Sequence, residues 1–172
     1  MSDGFTIWRI ATDTPDYVAE DSTGTGAKIS GGRWNRPGSA MLYAASSIAL
    51  ACLETVVHLK FDALPLNRYL VKIAVPAEVW HAATVFDPAS LVGWDALPHG
   101  RVSLDAGDAW LASKASLLCR VPSVIVPHEH NVLINPRHAD ATKLSFRKLE
   151  KWTYDGRLAP GTFGEKSSRR VS

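Results

Sequence analysis

The chain is poor in the features that would mark several protein classes. It has two cysteines in 172 residues, Cys52 and Cys119. Both lie in apolar runs, so the expected role is that of small buried hydrophobes rather than a disulfide framework. No apolar run approaches the roughly 20 residues that cross a bilayer. Met1-Ser2-Asp3-Gly4-Phe5 has neither a basic n-region nor an apolar h-region, which leads to an expected cytoplasmic location with no membrane partner. Nor is there an excess of one charge: 19 basic against 17 acidic side chains leave a net +2. So even a balance disfavours a direct nucleic-acid partner.

Familiar motifs are missing as well. Gly24-Thr25-Gly26 starts like a dinucleotide fingerprint, but Ile29 stands where the third glycine belongs. No phosphate-binding loop ending in Gly-Lys-Ser/Thr occurs, and no Gly-x-Ser-x-Gly nucleophile elbow. His128-Glu129-His130 is the one close histidine pair, and a zinc site needs at least a third ligand. No metal is expected.

What the chain does have is an apolar content of 46%, enough for one domain with its own core. Phe5–Ile10 alternates and reads as a strand. Ala11–Pro37 is polar, holds Gly24, Gly26, Gly31 and Gly32, and is expected to be a functional loop without regular structure. Ala40–Ala44 reads as a short buried strand. Ser46 and Ser47 offer N-caps for a helix through Ile48–Leu59, with Ala49, Cys52, Leu53 and Val56 on one apolar face. Arg68–Val75 is a strand closed by Pro76. Residues 77–100 give no clear pattern. A helix is expected over Asp105–Lys114, strands over Leu117–Val121, Val124–Val126 and Val132–Ile134, and a last strand within Leu144–Tyr154. The fold class is α+β, a compact mixed or antiparallel β core with flanking helices. One domain spans 1–160, followed by a polar tail over 161–172 expected to be mobile.

Several residues stand out. Glu54 is the only charged residue between Pro37 and His58, and helical spacing groups it with Leu50, Ala51, Val57 and His58. It is either a solvated glutamate on the helix's outer side or a carboxylate in a partly apolar cleft, and the sequence leaves both open. Arg33 follows two glycines, which allow close backbone approach to a ligand, and arginine suits phosphate oxygens. Tyr43 reads by default as a core aromatic, Ser123 as a hydroxyl at a strand break, and Asn131 and Asn135 as turn formers.

Together these residues resemble a known pattern. Gly31-Gly32-Arg33-Trp34-Asn35, Leu42-Tyr43-Ala44, Ala49-Leu50-Ala51-Cys52-Leu53-Glu54, Val121-Pro122-Ser123 and Asn131 through His138 follow the order of the RES domain, from Trp8 to about Trp152. The resemblance implies a fold similar to ADP-ribosyltransferases and the toxin half of a toxin–antitoxin pair. It further implies an Xre-type helix-turn-helix antitoxin that blocks the active site, with a homodimer of the toxin inside the complex. NAD+ would be a substrate, with no prosthetic group. Arg33, Tyr43, Glu54 and Ser123 would be catalytic. Arg33, Tyr43 and Ser123 would also bind NAD+, with Trp34, Asn131 and Asn135 as further NAD-binding candidates. The first expectation is cleavage of the nicotinamide–ribose bond by water or phosphate. The alternative is transfer of ADP-ribose to a protein target.

Overall fold

The computed structural model describes residues 4–59 and 64–159; the tail expected over 161–172 lies outside them. Seven strands form one sheet: β1 (Phe5–Thr12), β2 (Leu42–Ala45), β3 (Arg68–Val75), β4 (Thr84–Val85), β5 (Leu118–Pro122), β6 (His130–Ile134) and β7 (Ser145–Lys151). Their order is β4-β5-β6-β2-β1-β3-β7. Only β4 runs parallel to its neighbour, β5, and the other pairs are antiparallel. Four α-helices accompany them: α1 (Thr25–Ser30), α2 (Ile48–Val56), α3 (Ala77–His81) and α4 (Arg101–Ser113). The α+β class is as expected.

Alternation along the strands divides the core between the two sheet faces. Ile7, Val71, Ile73, Leu42, Val132, Ile134 and Leu118 point one way into the main cluster. On the other face two clusters lie side by side. One packs α2, through Leu50 and Ala51, on Ile10, Ala45 and Leu70. The other packs Trp34, Trp94 and α4 side chains on Met41, Cys119, Val121 and Leu133. The seam between these two clusters is where the polar site forms.

Four expectations need correction. The Ala11–Pro37 segment contains α1, which fits between Gly24 and Gly31, both at positive φ (75° and 70°). Val124–Val126 is a turn and not a strand, because Ser123 Oγ accepts from the Ile125 and Val126 amides at 3.0 and 3.1 Å and so turns the chain. Helix α4 begins at Arg101, not Asp105, so Asp105 and Asp108 lie inside it, where they bind Arg36. Last, α2 buries Leu50 and Ala51 while Ala49 and Leu53 are exposed. A helix apolar on nearly all sides has no periodic signal to say which side turns inward.

Candidate active site

The polar residues of the site come from α2, the turn after β5, β6 and the segment before β2. Ser47 caps α2, its hydroxyl accepting from the Leu50 amide at 3.1 Å. With Leu50 and Ala51 facing the sheet, Glu54, four and three residues on, lies toward the same side. The solvated-surface reading of Glu54 is therefore set aside. Its Oε1 accepts from Ser123 Oγ at 2.7 Å and from Asn131 Nδ2 at 2.5 Å. Ser123 follows β5 directly and Asn131 sits in β6, paired with Val121 and with Ala45. Two strands and a helix thus converge on one carboxylate oxygen, while Oε2 accepts no hydrogen bond from the described residues.

Ser123 is fully buried. Its one proton goes to Glu54, and two amides occupy the oxygen's acceptor sites. Ser123 therefore orients Glu54 and turns the chain, with no donor left for a ligand. Asn131 shares the work.

Arg33 comes from the bulged segment Gly31–Asn35, closed by a bridge between Gly32 and Asn35. Its Nη1 donates to the carbonyls of Trp94 and Ala96 at 3.0 and 2.9 Å. Nε and Nη2 bind none of the described residues, so one edge of the planar fork is open to a bidentate anion. Burial pulls the guanidinium below its ordinary pKa, opposed by attraction to Glu54 and Asp95.

Tyr43, Trp34 and Asn35 build the seat of Arg33. The Tyr43 hydroxyl donates to Asn35 Oδ1 at 2.7 Å and accepts from the Trp34 amide at 3.0 Å. Burial holds that hydroxyl well above its usual pKa. A Cβ on Gly32 would stand 2.6 Å from it, so only glycine lets the strand rest on this ring. Asn35, wholly buried, also donates to the carbonyls of Ala27, Arg36 and Ser39 at 2.9, 3.3 and 2.8 Å. Helix α4 closes the segment from outside. Gly107 lets it pass so near that a Cβ would fall 1.8 Å from the Trp34 carbonyl oxygen. Arg36 reaches both Asp105 and Asp108 on α4.

The structure brings together Glu54, Ser123 and Asn131, with Arg33 in electrostatic range and Tyr43 beneath its loop. Trp34 and Asn135 are elsewhere. Trp34 is buried between Phe86 and Trp94, with ring centroids 5.0 and 5.9 Å away. Asn135, also buried, donates to the Leu111 carbonyl at 3.1 Å and accepts from the Arg137 amide at 3.0 Å. The Asn135 amide thus has both its oxygen and its nitrogen engaged within the protein. Arg36 and Glu129 are structural members of the site that the sequence did not single out, and Asn35, the end of the Gly31–Asn35 block, was given no role of its own there. The Glu129 carboxylate accepts from Ser47 Oγ at 2.9 Å, and its carbonyl accepts from the Ser123 amide at 2.9 Å. One residue thus ties the start of α2 to the turn that carries Ser123.

A separate concavity of about 770 Å³ opens beside Lys28, Arg137, Leu144 and Phe146 on the opposite sheet face. It gathers none of these groups. No cluster of three or more His, Cys, Asp or Glu among the described residues is placed to hold a metal, and no helix there is long and apolar enough to cross a membrane.

The family model described as RES domain matches residues 6–155. The chain belongs to the RES domain family. A relative from a Sphingobium species (strain YBL2), named Prs ADP-ribosylating toxin, is 60% identical over 153 residues, covering 88% of this chain and 95% of that protein. Toxin Res of Yersinia enterocolitica is 38% identical over 143 residues, 83% of this chain and 93% of its own length. Toxin Res of Pseudomonas putida is 36% identical over 154 residues, 88% and 98% of the two chains. This RES protein is therefore a toxin of that family, and Arg33, Tyr43, Glu54 and Ser123 all lie inside the matched region.

Proposed function

We propose that this RES toxin takes NAD+ as a substrate in the seam around Glu54, breaks its nicotinamide–ribose bond, and passes ADP-ribose to a protein. The single observation that carries the proposal is the Glu54 carboxylate, held through one oxygen by Ser123 and Asn131 and left free at the other. When the C1′–N bond breaks, its electron pair leaves with nicotinamide as a neutral pyridine. No general acid is needed, but positive charge builds on the ribose, as in glycoside cleavage. An oriented carboxylate stabilises that charge without reorganising. The free oxygen then accepts a ribose hydroxyl's hydrogen bond or the proton of the attacking acceptor. The open edge of Arg33 suits the diphosphate. Tyr43 and Trp34 act by seating Arg33, and Ser123 by aiming Glu54.

The 60% identity to a toxin named for ADP-ribosylating Prs favours a protein acceptor over water and makes Prs the first acceptor to try. The second reading, cleavage by water or phosphate, draws on the free Glu54 oxygen, which can serve as base for a small nucleophile equally well. In the cell we place this toxin in the cytoplasm with an Xre-type antitoxin covering the seam, with no prosthetic group and with the RES domain spanning 1–160.

The test is Glu54→Gln with labelled NAD+, Prs and chromatography of the products. Glutamine keeps an Oε1 for both hydrogen bonds, so the fold persists while the charge is lost. Turnover should fall by about 10²- to 10⁴-fold. A folded variant that consumes NAD+ at the wild-type rate refutes the role of Glu54. Labelled Prs identifies transfer, and free ADP-ribose or its phosphate identifies cleavage.

A further inference from the structure

Cross-strand register places a row of side chains on the same sheet face as Asn131. Asn131 lies opposite Ala45, Ala45 opposite Trp8, Trp8 opposite Lys72, and Lys72 opposite Arg147. Directly opposed residues of antiparallel strands share a face. The row therefore starts at the Glu54 cluster and runs to the edge of the sheet. At about 4.8 Å per strand, Lys72 and Arg147 lie roughly 14 and 19 Å from Asn131.

Among the described residues, no helix lies over the Lys72–Arg147 end of this face. Helix α2 packs on Ala45 at the near end of this row and on Ile10 and Leu70 of the next, and Trp8 packs against the same cluster. Beyond Trp8, which is half-buried, Lys72, Ala74, Ser145 and Arg147 are all exposed. A sheet face normally needs cover when apolar, and this one is instead a flat platform of small side chains, one indole and two cations. Neither Lys72 nor Arg147 forms an ion pair or side-chain hydrogen bond with the described residues. Glu150, on the neighbouring row opposite Leu70, does not pair with either.

We propose that this Trp8–Lys72–Arg147 strip is the docking surface for the protein acceptor, which lays an acidic segment across it with the modified side chain reaching the Glu54 seam. The proposal rests on the transfer reading above. Charge complementarity selects an acidic partner, since two unpaired cations beside an aromatic platform reward carboxylates and repel a basic surface. Continuity selects the acceptor, because the row ends at the residue that orients Glu54. A strip remote from the reacting ribose can change how the acceptor is captured without touching the NAD+ site.

The test uses the full chain, labelled NAD+ and the protein that the wild type labels most strongly in lysate, purified. Wild type, K72A/R147A and K72E/R147E are compared after melting curves establish that each is folded. The acceptor KM should rise by about tenfold or more in the charge reversal and less in the double alanine, as expected for charges that steer encounter. Added salt should raise the wild-type acceptor KM, leave that of K72A/R147A nearly flat and lower that of K72E/R147E, whose carboxylates repel the acidic segment. The KM for NAD+ and the slow hydrolysis without acceptor should not change. An unchanged acceptor KM in K72E/R147E overturns the docking surface while leaving transfer intact. So does loss confined to NAD+ kinetics, or loss of binding to a DNA or RNA oligonucleotide with acceptor kinetics preserved. A wild type that consumes NAD+ but labels no protein refutes transfer itself, and the docking surface falls with it.

Discussion

Replacing Tyr43 by phenylalanine removes one oxygen and keeps the ring, which separates two roles this residue could have. The hydroxyl bridges Asn35 Oδ1 and the Trp34 amide, and both residues are almost fully buried. Without it, one acceptor and one donor lose a partner in a place where water has little access. Each such orphan costs about 1–3 kcal/mol, lessened by the desolvation that the missing hydroxyl no longer requires. A net loss of about 3 kcal/mol follows. For a chain of this size that lowers Tm by roughly 6–12 °C. The seat of Arg33 loosens with it, so the KM for NAD+ should rise more than kcat falls. Differential scanning fluorimetry and steady-state kinetics on Tyr43→Phe and Tyr43→Ala provide the test. If the ring itself gripped nicotinamide, Tyr43→Phe would be nearly silent and only Tyr43→Ala would fail. A Tm within about 1 °C of wild type in Tyr43→Phe would refute the seat described here.

Gly107→Ala should be among the most damaging single-methyl changes, because its Cβ would meet a backbone carbonyl at 1.8 Å and no side chain can yield. We expect a loss of about 3 kcal/mol or more by thermal melting, together with weaker NAD+ binding, since α4 must lift from the Arg33 segment. Glu129→Ala should lower kcat about tenfold with little change in KM for NAD+, since it unties α2 from the Ser123 turn, and Glu129→Gln should restore most of it by still accepting from Ser47. Thiol titration should find Cys119 inert to a disulfide reagent at pH 8 in the native protein, because burial pushes its thiol up to about 11, and reactive after denaturation.

The strands were readable where alternation was strong. Arg68–Val75 matches its expected bounds, and Phe5–Thr12 extends its expected strand by two residues. The reading failed where an interaction between distant residues decides the local structure. Val124–Val126 has strand composition, yet the Ser123 hydroxyl captures its amides. Two glycines in left-handed conformations make room for a six-residue helix in a segment whose composition argues for a loop. Of the site, Glu54 was legible as a charge out of place, and Arg33 through its glycines. The roles of Tyr43 and Ser123 were not, since a hydroxyl's partners depend on contacts across 8 and 69 positions of sequence. Asn35 stood out only as the end of the Gly31–Asn35 block, and Glu129 only between two histidines, with no structural role legible for either. Their importance lies in being shared between elements, which no local pattern encodes.

The position of Glu54 has a physical cost that explains its surroundings. A carboxylate between two apolar clusters needs protein donors in place of the water it loses. Ser123 and Asn131 supply them to one oxygen, and both are themselves fixed, Ser123 by its turn and Asn131 by the sheet. Arg33 forms no ion pair with it; its Nη1 is held instead by the carbonyls of Trp94 and Ala96. A direct ion pair would have been easier to build, but it would occupy the carboxylate oxygen and the guanidinium edge that a ligand needs. The fold keeps these two charges from pairing by tying each to neutral partners. On the reading proposed above, that leaves the second Glu54 oxygen for the ribose and the open Arg33 edge for the diphosphate.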